Sequence, residues 1–265
     1  MLKVPEAPIV HKQNWGDYYL LTLEAPEISQ RAKPGQFIMV RVSDLSHPLL
    51  RRPFSVHFAQ ENCLEIFFSA EGLGTILLSQ KREGDALDIL GPLGKGFQLK
   101  KASQNEETAL IGGGRGIAPL YFLAHKLLSL EASVRIFYGG KTRSDLPLNE
   151  RFKGHDFDVL CSTDDGSFGF KGLVTDLFKS ECNTSLPARI FACGPDPMME
   201  DIANFALEKE IPAQFSLESV MGCGFGACWG CVKKIKTEDG EEWVKVCEEG
   251  PVFPAERIIW RNKEK

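Results

Sequence analysis

Four cysteines near the C-terminal end carry the clearest chemical pattern in the sequence. Cys223, Cys228, Cys231 and Cys247 follow the spacing C-x4-C-x2-C-x15-C. A C-x4-C-x2-C run on a tight loop, completed by a distant fourth thiolate, is typical of a plant-type [2Fe–2S] site. The spacing therefore predicts that these four side chains bind iron through their sulfur atoms.

Glycines flank the first two of these cysteines. Gly222, Gly224 and Gly226 carry no Cβ, so the backbone can adopt positive φ angles there and approach inorganic sulfide closely. Their N–H groups can then point at an anionic cluster. The glycines therefore agree with the iron–sulfur interpretation of this loop.

Two other uses of clustered cysteines remain open. A structural zinc site usually has two C-x2–4-C pairs, whereas the second half of this pattern offers only Cys247. A disulfide framework is the other alternative, although eight cysteines in an intracellular chain are better explained by metal or redox chemistry. Cys63 and Cys161 lie in strand-like stretches, where buried, unreactive thiols are expected.

The composition limits the class of protein. With 265 residues, 43% of them hydrophobic and 25% charged, the chain is long enough for two domains and a small appendage. Its net charge of −5 and the lack of a basic block argue against nucleic acid as a partner. No apolar run reaches transmembrane length, and the first residues lack the apolar core of a signal peptide. We therefore expect a cytoplasmic protein without membrane contact.

A second pattern, from Ile111 to Pro119, is rich in glycine. It follows a predicted strand and opens a predicted helix, where free N–H groups and the helix dipole favour a phosphate. Glycines in such a turn also serve simply to pack a helix against a sheet. Because the pattern departs from G-x-G-x-x-G, it indicates a nucleotide site unlike the usual dinucleotide fingerprint. The candidate residues are Gly112, Gly113, Gly114 and Gly116.

Cys193, Gly194 and Pro195 form a third motif, at the carboxyl end of another predicted strand. Open α/β sheets place their ligands at this end of the strands. The motif is therefore a candidate part of the nucleotide site. The alternative is a structural turn with a buried thiol.

A fourth grouping places a cation, an aromatic ring and a hydroxyl in the consecutive residues Arg52, Pro53, Phe54 and Ser55. The cation suits a diphosphate, the ring can pack on an isoalloxazine, and the hydroxyl can bond near its N5 atom. A predicted helix nearby would add backbone N–H groups for the same diphosphate. The other residues that we assign to this flavin site are Phe68, Ser69, Ala70, Gly74 and Thr75.

The elements that position these motifs follow from the periodicity of the sequence. Short strands beginning at Tyr18, Gln36 and Leu64 are separated by proline and glycine turns, which predicts a small antiparallel β-barrel. From Thr108 the pattern changes to alternating strands and helices, which predicts a doubly wound parallel sheet. The predicted strands of that sheet begin at Ala109, Val134, Phe157, Arg189 and Gln214. We expect a barrel domain at residues 1–102, a nucleotide domain at 103–215 and a cluster-binding segment at 216–265.

Taken together and in this order, the motifs resemble those of the ferredoxin–NADP reductase superfamily, over about residues 10 to 215. The shared features are the Arg-Pro-aromatic-Ser segment, the glycine turn ending in Ile-Ala-Pro and the Cys-Gly-Pro turn. The cysteine motif after Ser216 and the stretch from Gly91 to Phe97 narrow the resemblance to the electron-transfer subunits of class B dihydroorotate dehydrogenase. Arg115 departs from that family, which more often has an apolar residue in the glycine turn.

The resemblance implies cofactors, partners and a role. It implies FAD in the barrel, a [2Fe–2S] cluster in the last segment, and NADH bound over the second domain, with Ser55 and Cys193 as catalytic residues at the flavin. Electrons would pass to or from a separate FMN-containing dihydroorotate dehydrogenase subunit in pyrimidine biosynthesis, in a heterotetramer of two plus two subunits. The family implies NADH rather than NADPH. Lys141, Arg143 and Ser144, however, follow the second strand of the nucleotide domain, about where a 2′-phosphate would lie.

Two other functions remain open at this point. The small subunit of a bifurcating NADH:ferredoxin–NADP oxidoreductase or sulfide dehydrogenase is similar, but it usually has aspartate as the first cluster ligand, where this chain has Cys223. A protein of a different class, a zinc-stabilised adaptor, would contain neither flavin nor iron and would be colourless.

Overall fold

The computed structural model describes residues 1–43, 47–99, 106–155 and 157–260. These residues form two seven-stranded sheets and a separate two-stranded ribbon. The predicted boundary between the first two domains, at residues 102 and 103, lies outside the described residues. No helix in the described part of the chain is long and apolar enough to cross a membrane.

The first sheet is antiparallel and comes from the N-terminal third of the chain. Its strands are β1 (Leu2–Trp15), β2 (Tyr18–Glu24), β3 (Phe37–Arg41), β4 (Arg52–Ser55), β5 (Phe58–Gln60), β6 (Cys63–Ser69) and β7 (Ala86–Leu93). They lie in the order β4-β3-β7-β1-β2-β6-β5. Helices α1 (Pro26–Ser29) and α2 (Leu73–Ser79) connect them. The strands predicted near Tyr18, Gln36 and Leu64 are confirmed as β2, β3 and β6.

The first sheet curves into a half-barrel because β1 is shared between its two halves. The N-terminal half of β1 pairs with β7 and its C-terminal half with β2. Register shifts occur between Val4 and Ala7 and between Ile9 and His11. Such irregularities bend a strand and increase its twist. The side chains enclosed by the curved sheet are fully buried and include Leu21, Ile38 and Ile66.

The second sheet is parallel in its core. Its parallel strands are β8 (Glu107–Gly113), β9 (Ser133–Gly140), β10 (Asp158–Thr163), β11 (Phe170–Lys171), β12 (Arg189–Cys193) and β13 (Ala213–Ser216). The connecting helices are α3 (Ala118–Leu128), α4 (Asn149–Lys153), α5 (Val174–Cys182) and α6 (Asp196–Glu208). Buried residues of α3 and α4 belong to one core cluster and those of α5 and α6 to another. The predicted doubly wound sheet is therefore confirmed.

The C-terminal segment is joined to the parallel sheet. It contains the ribbon of β14 (Val232–Thr237) and β15 (Gly240–Lys245), helix α7 (Val246–Glu249) and strand β16 (Val252–Pro254). Strand β16 pairs antiparallel with β13 at the sheet edge. The segment expected at residues 216–265 is therefore hydrogen-bonded to the sheet of the preceding domain through the β13–β16 pair.

Polar side chains connect the half-barrel to the parallel sheet. Glu65 on β6 accepts two hydrogen bonds from Arg151 on α4, at 3.0 and 2.7 Å. Tyr18 donates its hydroxyl hydrogen to Asp145, at 2.7 Å. Both bonds to Glu65 come from Nη2 of Arg151 and are charge-assisted, and such bonds are stronger than neutral ones. These contacts therefore help to hold the two units together.

Candidate functional site

The first cavity lies where the half-barrel, the parallel sheet and the C-terminal segment meet. Its volume is about 470 Å³. The residues around it include Arg52, Pro53, Phe54, Ser55, Phe68, Ser69, Gly74 and Thr75 from the half-barrel, Cys193 and Ser216 from the parallel sheet, and Leu217 and Met221 from the stretch after β13. The fold thus brings most of the predicted flavin residues to one cavity, together with the cysteine of the Cys-Gly-Pro motif.

Arg52 and Ser55 are placed at the cavity by β4, which pairs with β3. The Nη1 atom of Arg52 donates to the carbonyl oxygen of Leu50 at 2.6 Å. A Cβ atom on Gly74 would lie 2.9 Å from Nε of Arg52. Glycine at position 74 therefore leaves the room that the guanidinium occupies beside the first turn of α2.

The other predicted flavin residues have defined local roles. Phe54 is only 7% exposed and its ring packs on Phe68, with centroids 5.4 Å apart, so most of its ring belongs to the half-barrel core. The Thr75 hydroxyl accepts from the N–H of Gly72 at 3.1 Å and donates to its carbonyl oxygen at 3.0 Å, which caps the start of α2. Ala70 does not line either of the two cavities described here.

A second cavity, of about 780 Å³, lies at the carboxyl end of the parallel strands. Lys141, one of the residues considered for a 2′-phosphate, lines this cavity. Arg143, another of them, does not line it and stacks over Phe168, with its Cζ 5.3 Å from the ring centroid. The predicted nucleotide residues that line it are Gly113, Gly114, Gly116, Gly194 and Pro195. The glycine turn and the Cys-Gly-Pro turn therefore face one space, where an open α/β sheet places its ligand.

The glycines of the turn are needed for different physical reasons. A Cβ atom on Gly112 would lie 2.6 Å from Cδ1 of Ile117, and one on Gly116 would lie 2.1 Å from the carbonyl oxygen of Cys193. Gly112 thus allows the helix start to pack against β8, and Gly116 allows it to pack against β12. Gly114 instead has φ of +54° and open space around its missing Cβ. The packing interpretation of the glycine pattern therefore holds for Gly112 and Gly116, and phosphate binding stays a prediction for the turn.

Three residues that line both cavities were not among the predicted site residues: Glu71, Arg115 and Glu218. Arg115 forms an ion pair with Glu71 and donates to the Ser69 hydroxyl oxygen at 2.9 Å. Partial burial opposes ionisation of Glu71, but the bonds from Arg115 and Ser69 lower its pKa. A usable sequence signal existed for Glu218, because it follows the carboxyl end of β13 as the Cys-Gly-Pro turn follows β12.

Cys193 is a neutral thiol at the flavin cavity. It is 3% exposed, and burial raises its pKa well above the ordinary value. Burial and a hydrogen bond to Asp145 likewise raise the pKa of Tyr18, whose side chain lines the second cavity. Neither group carries charge near neutral pH, so both act in these cavities through shape and hydrogen bonding.

The four C-terminal cysteines approach one another in two pairs. Cys228 lies close enough to Cys223 for its thiol to lower the pKa of Cys223, and the N–H of Cys247 donates to the sulfur of Cys231 at 3.4 Å. Within the described residues, no three Cys, His, Asp or Glu side chains converge on the position of a single metal ion. In a [2Fe–2S] cluster each iron takes two protein ligands, and two pairs of thiols supply that number.

Backbone N–H groups surround two of these sulfur atoms. Burial opposes ionisation of Cys223, but hydrogen bonds from the loop's N–H groups and from Cys228 lower its pKa from 9.0 to about 7. Burial and a bond to Cys231 raise the pKa of Cys247 to about 12, although the N–H of Gly226 donates to its sulfur at 3.1 Å. These donors are placed to stabilise sulfur in the thiolate form, which is the form that binds metal.

The loop conformation partly matches the expectation from its glycines. Gly224 and Gly226 have positive φ angles of +83° and +87°. Gly222 does not, and a Cβ there would make only a close contact with the sulfur of Cys228, at 3.4 Å, so the expectation is not met at this position. A Cβ on Gly224 would lie 2.4 Å from Cγ of Met39, so the loop packs tightly on β3.

The residues present fit the cofactors that the motifs indicate. The first cavity offers a guanidinium, hydroxyls and aromatic rings along one wall, as a flavin dinucleotide requires, and its volume falls within the range of cofactor sites. The cysteine loop and helix α7, which carries Cys247, together offer four sulfur atoms in two pairs with N–H donors on two of them.

Two family models match the chain. The iron–sulfur cluster binding domain of dihydroorotate dehydrogenase B matches residues 218–259. The oxidoreductase NAD-binding domain matches residues 110–204. These matches include all four predicted cluster cysteines and most of the parallel sheet.

Solved structures show the same fold. An NADH-dependent reduced ferredoxin–NADP oxidoreductase, studied for flavin-based electron bifurcation, is 30% identical with a TM-score of 0.83, covering 96% of this chain and 90% of that one. A ferredoxin–NADP+ reductase from Neisseria gonorrhoeae with bound FAD and NADP is 21% identical with a TM-score of 0.65, covering 78% of this chain and 91% of that one. The second similarity shows the fold alone.

Curated relatives are similar over nearly their whole length. The dihydroorotate dehydrogenase B (NAD(+)) electron transfer subunit of Desulforamulus reducens is 38% identical over 244 residues, which are 91% of this chain and 92% of the relative. The subunit of the same name from a Geobacillus species is 37% identical over 262 residues, 98% of this chain and 100% of the relative. This chain therefore belongs to the family of dihydroorotate dehydrogenase B electron transfer subunits.

Proposed function

We propose that this chain carries electrons between NAD(H) and a separate FMN-containing dihydroorotate dehydrogenase subunit in pyrimidine biosynthesis, using FAD in the first cavity and a [2Fe–2S] cluster on the cysteine loop. The family supports NAD-dependent oxidoreductase chemistry, and its relatives are named as one subunit of a larger enzyme. The direction of flow depends on the partner's substrate.

One observation carries this proposal: the wall of the flavin cavity continues directly into the cluster loop. Met221 lines the cavity, and Cys223 is the second residue after it. Gly224 then packs on Met39 of β3, the strand that pairs with β4 and its predicted flavin residues. Electron transfer slows steeply with distance, so a loop that begins at the cavity wall and packs on the strand beside β4 is well placed to receive electrons from the flavin site.

The chain's residues supply binding and orientation, and the cofactors supply the chemistry. FAD held in the first cavity would supply two-electron oxidation of NADH and one-electron transfer to a cluster. Arg52 balances the charge of a diphosphate, and the Ser55 hydroxyl donates a hydrogen bond at the ring system. Cys193 places an uncharged, buried thiol where the nucleotide and flavin cavities approach each other.

The cluster loop is also the surface that we propose for the partner subunit. Phe225 is 48% exposed and Trp229 is 58% exposed. Lys245 lies over the Trp229 ring, with Nζ 4.8 Å from its centroid. Exposed aromatic residues are common in subunit interfaces, and a cluster bound beside them would lie at the point of contact. We propose an assembly of two such subunits with two catalytic subunits.

We also propose that the protein works in the cytoplasm. All eight cysteines are free thiols. Proteins of reducing compartments rarely contain stable disulfides, and the free thiols support this location.

The proposal is tested by anaerobic addition of NADH to the purified chain. We expect flavin and iron in the protein, bleaching of the flavin absorbance, and an EPR signal of a reduced [2Fe–2S] cluster. With the FMN subunit added, dihydroorotate should reduce the same cluster. A colourless protein would contradict the proposal and would favour the zinc-stabilised adaptor.

A second candidate function is supported by the similarity to the bifurcating oxidoreductase at 30% identity. Cys223 at the first cluster position argues against it, because that group usually has aspartate there. The two functions differ in the partner that completes the reaction. Reduction of the cluster by NADPH through a bifurcating large subunit, with ferredoxin as the acceptor of the other electron and with no response to dihydroorotate, would favour the second.

A further inference from the structure

One ion pair lies at the boundary between the two cavities. Arg115, on the glycine turn of the parallel sheet, pairs with Glu71 of the half-barrel, and both side chains line both cavities. The Arg115 guanidinium also donates to Ser69 at 2.9 Å. A dinucleotide whose nicotinamide reaches the flavin must lie across this boundary. The pair is therefore in the path of the substrate.

The second cavity is lined by more carboxylates than cations. Its acidic residues are Glu71, Asp145, Asp164, Asp201 and Glu218, and its basic residues are Arg115 and Lys141. A diphosphate that enters such a space needs a cation close to it. Lys141 lies at the end of β9, whereas Arg115 is on the turn itself, next to Gly114 with its open space. Arg115 is therefore the cation nearest to the backbone that would hold the phosphates.

The present partner of Arg115 holds it weakly. The side chains of Arg115 and Glu71 are 43% and 63% exposed, and exposed ion pairs contribute little net stability. Arginine bonds to phosphate are charge-assisted and often bidentate, and hence stronger. Exchange of a carboxylate for a diphosphate is therefore favourable for this guanidinium.

Resting on the proposed NAD(H) site, we infer that Arg115 is a ligand of the nucleotide's diphosphate and that Glu71 holds its guanidinium until the nucleotide binds. Binding breaks the Arg115–Glu71 pair and opens the boundary between the cavities. Arg115 is thereby a residue that selects ligands with a diphosphate in this chain.

The test is equilibrium binding of ADP-ribose, which has the diphosphate, and of adenosine, which has none, to the flavin-loaded protein. Arg115→Leu should weaken ADP-ribose binding by about ten- to a hundredfold, as expected for loss of a charged hydrogen bond, and leave adenosine binding unchanged. Arg115→Lys should keep part of the affinity for ADP-ribose that Arg115→Leu loses. Arg143→Leu is the matched control, since it removes a cation that lines neither cavity.

Glu71→Gln tests the competition directly. The Glu71→Gln substitution should tighten ADP-ribose binding in the wild-type protein and have no such effect in the Arg115→Leu variant. A double-mutant cycle measures this coupling between the two residues. If Arg115→Leu weakened the binding of ADP-ribose and adenosine equally, or weakened neither, the inference would be overturned and the proposed function would stay intact. Failure of the wild-type protein to bind ADP-ribose would overturn the proposed nucleotide site itself.

Discussion

His57 of the half-barrel donates its Nδ1 hydrogen to the carbonyl oxygen of Ala118, the first residue of α3, at a distance of 2.8 Å. The ring is fully buried and stacks on Tyr121, with centroids 4.7 Å apart. Burial, and next the charge of Arg151, lower the pKa of His57 from 6.5 to about 3, against the opposing effect of the bond to Ala118. A neutral histidine thus connects the glycine turn to the flavin domain.

This burial predicts a loss of stability at mildly acidic pH. Between about pH 3 and 6.5 the unfolded chain binds a proton at His57 and the folded chain does not, so stability falls as pH decreases through that range. The fall approaches about 1.4 kcal/mol per pH unit below 6.5. The burial-lowered pKa of His125, about 4, acts in the same direction.

The measurement is the thermal midpoint between pH 7.5 and 5.5. His57→Gln can keep a donor to Ala118 but cannot titrate, so its midpoint should fall less than that of the wild type over this range. Parallel curves for the two proteins would show that His57 is not the group responsible.

Gly116→Ala should destabilise the link between the two cavities. The new Cβ would lie 2.1 Å from the backbone oxygen of Cys193, which cannot rotate away. Overpacking of this kind costs about 1–3 kcal/mol or more. In the control Gly154→Ala, the Cβ would meet only backbone oxygens, at 3.5 and 3.6 Å. We expect a lower thermal midpoint and weaker NADH binding for Gly116→Ala alone, and equal midpoints would refute the packing role.

The sequence predicts those features whose cause is local. The glycine turn, the cysteine loop and the buried strands of the parallel sheet each follow from consecutive residues, and the structure contains these elements where they were expected. Strand β1 was not predicted, because Pro5 and Pro8 interrupt the alternation that marks a strand. Proline is tolerated in β1 near its register shift between Val4 and Ala7, where regular ladder pairing is interrupted.

Contacts between distant segments were beyond prediction. His57 and Ala118 are 61 residues apart, and Arg115 meets Ser69 across 46 residues. Nothing in either local pattern indicates the other, since these contacts form only when the half-barrel docks on the parallel sheet. The predicted flavin and nucleotide motifs were recognisable singly, whereas the residues at their boundary depend on that docking.

Arg52→Ala should weaken FAD retention. A hydrogen bond from a charged group contributes roughly 1.5–3 kcal/mol, so the affinity should fall about ten- to a hundredfold. Ser55→Ala should slow flavin reduction more than it weakens binding. The adjacent Arg51 is a matched control because it pairs with Asp88 at 2.6 Å and lines neither cavity. Flavin occupancy and NADH-driven bleaching measure both effects, and unchanged values in both variants would refute the assigned flavin site.

Replacement of Cys223, Cys228, Cys231 or Cys247 by alanine should abolish the [2Fe–2S] signal and leave flavin reduction by NADH intact. These four cysteines supply all the thiols of the C-terminal segment from residue 216 to residue 260. None of them lines the flavin or the nucleotide cavity. Electron delivery to the FMN subunit should fail in the same variants, because the step after the flavin is lost.

EPR of the reduced protein, with iron analysis, separates the cluster from the flavin in these variants. Cys63→Ala and Cys182→Ala are the controls, since both thiols lie outside the loop, on β6 and α5. Cys247 is the most informative position: it is 16 residues from Cys231, yet its N–H contacts that sulfur. An unaltered cluster signal in Cys247→Ala would exclude it as the fourth ligand and would require another side chain to complete the four that a [2Fe–2S] cluster takes. Loss of iron and of the EPR signal in the wild-type protein, with zinc bound instead, is the result that would favour the zinc interpretation.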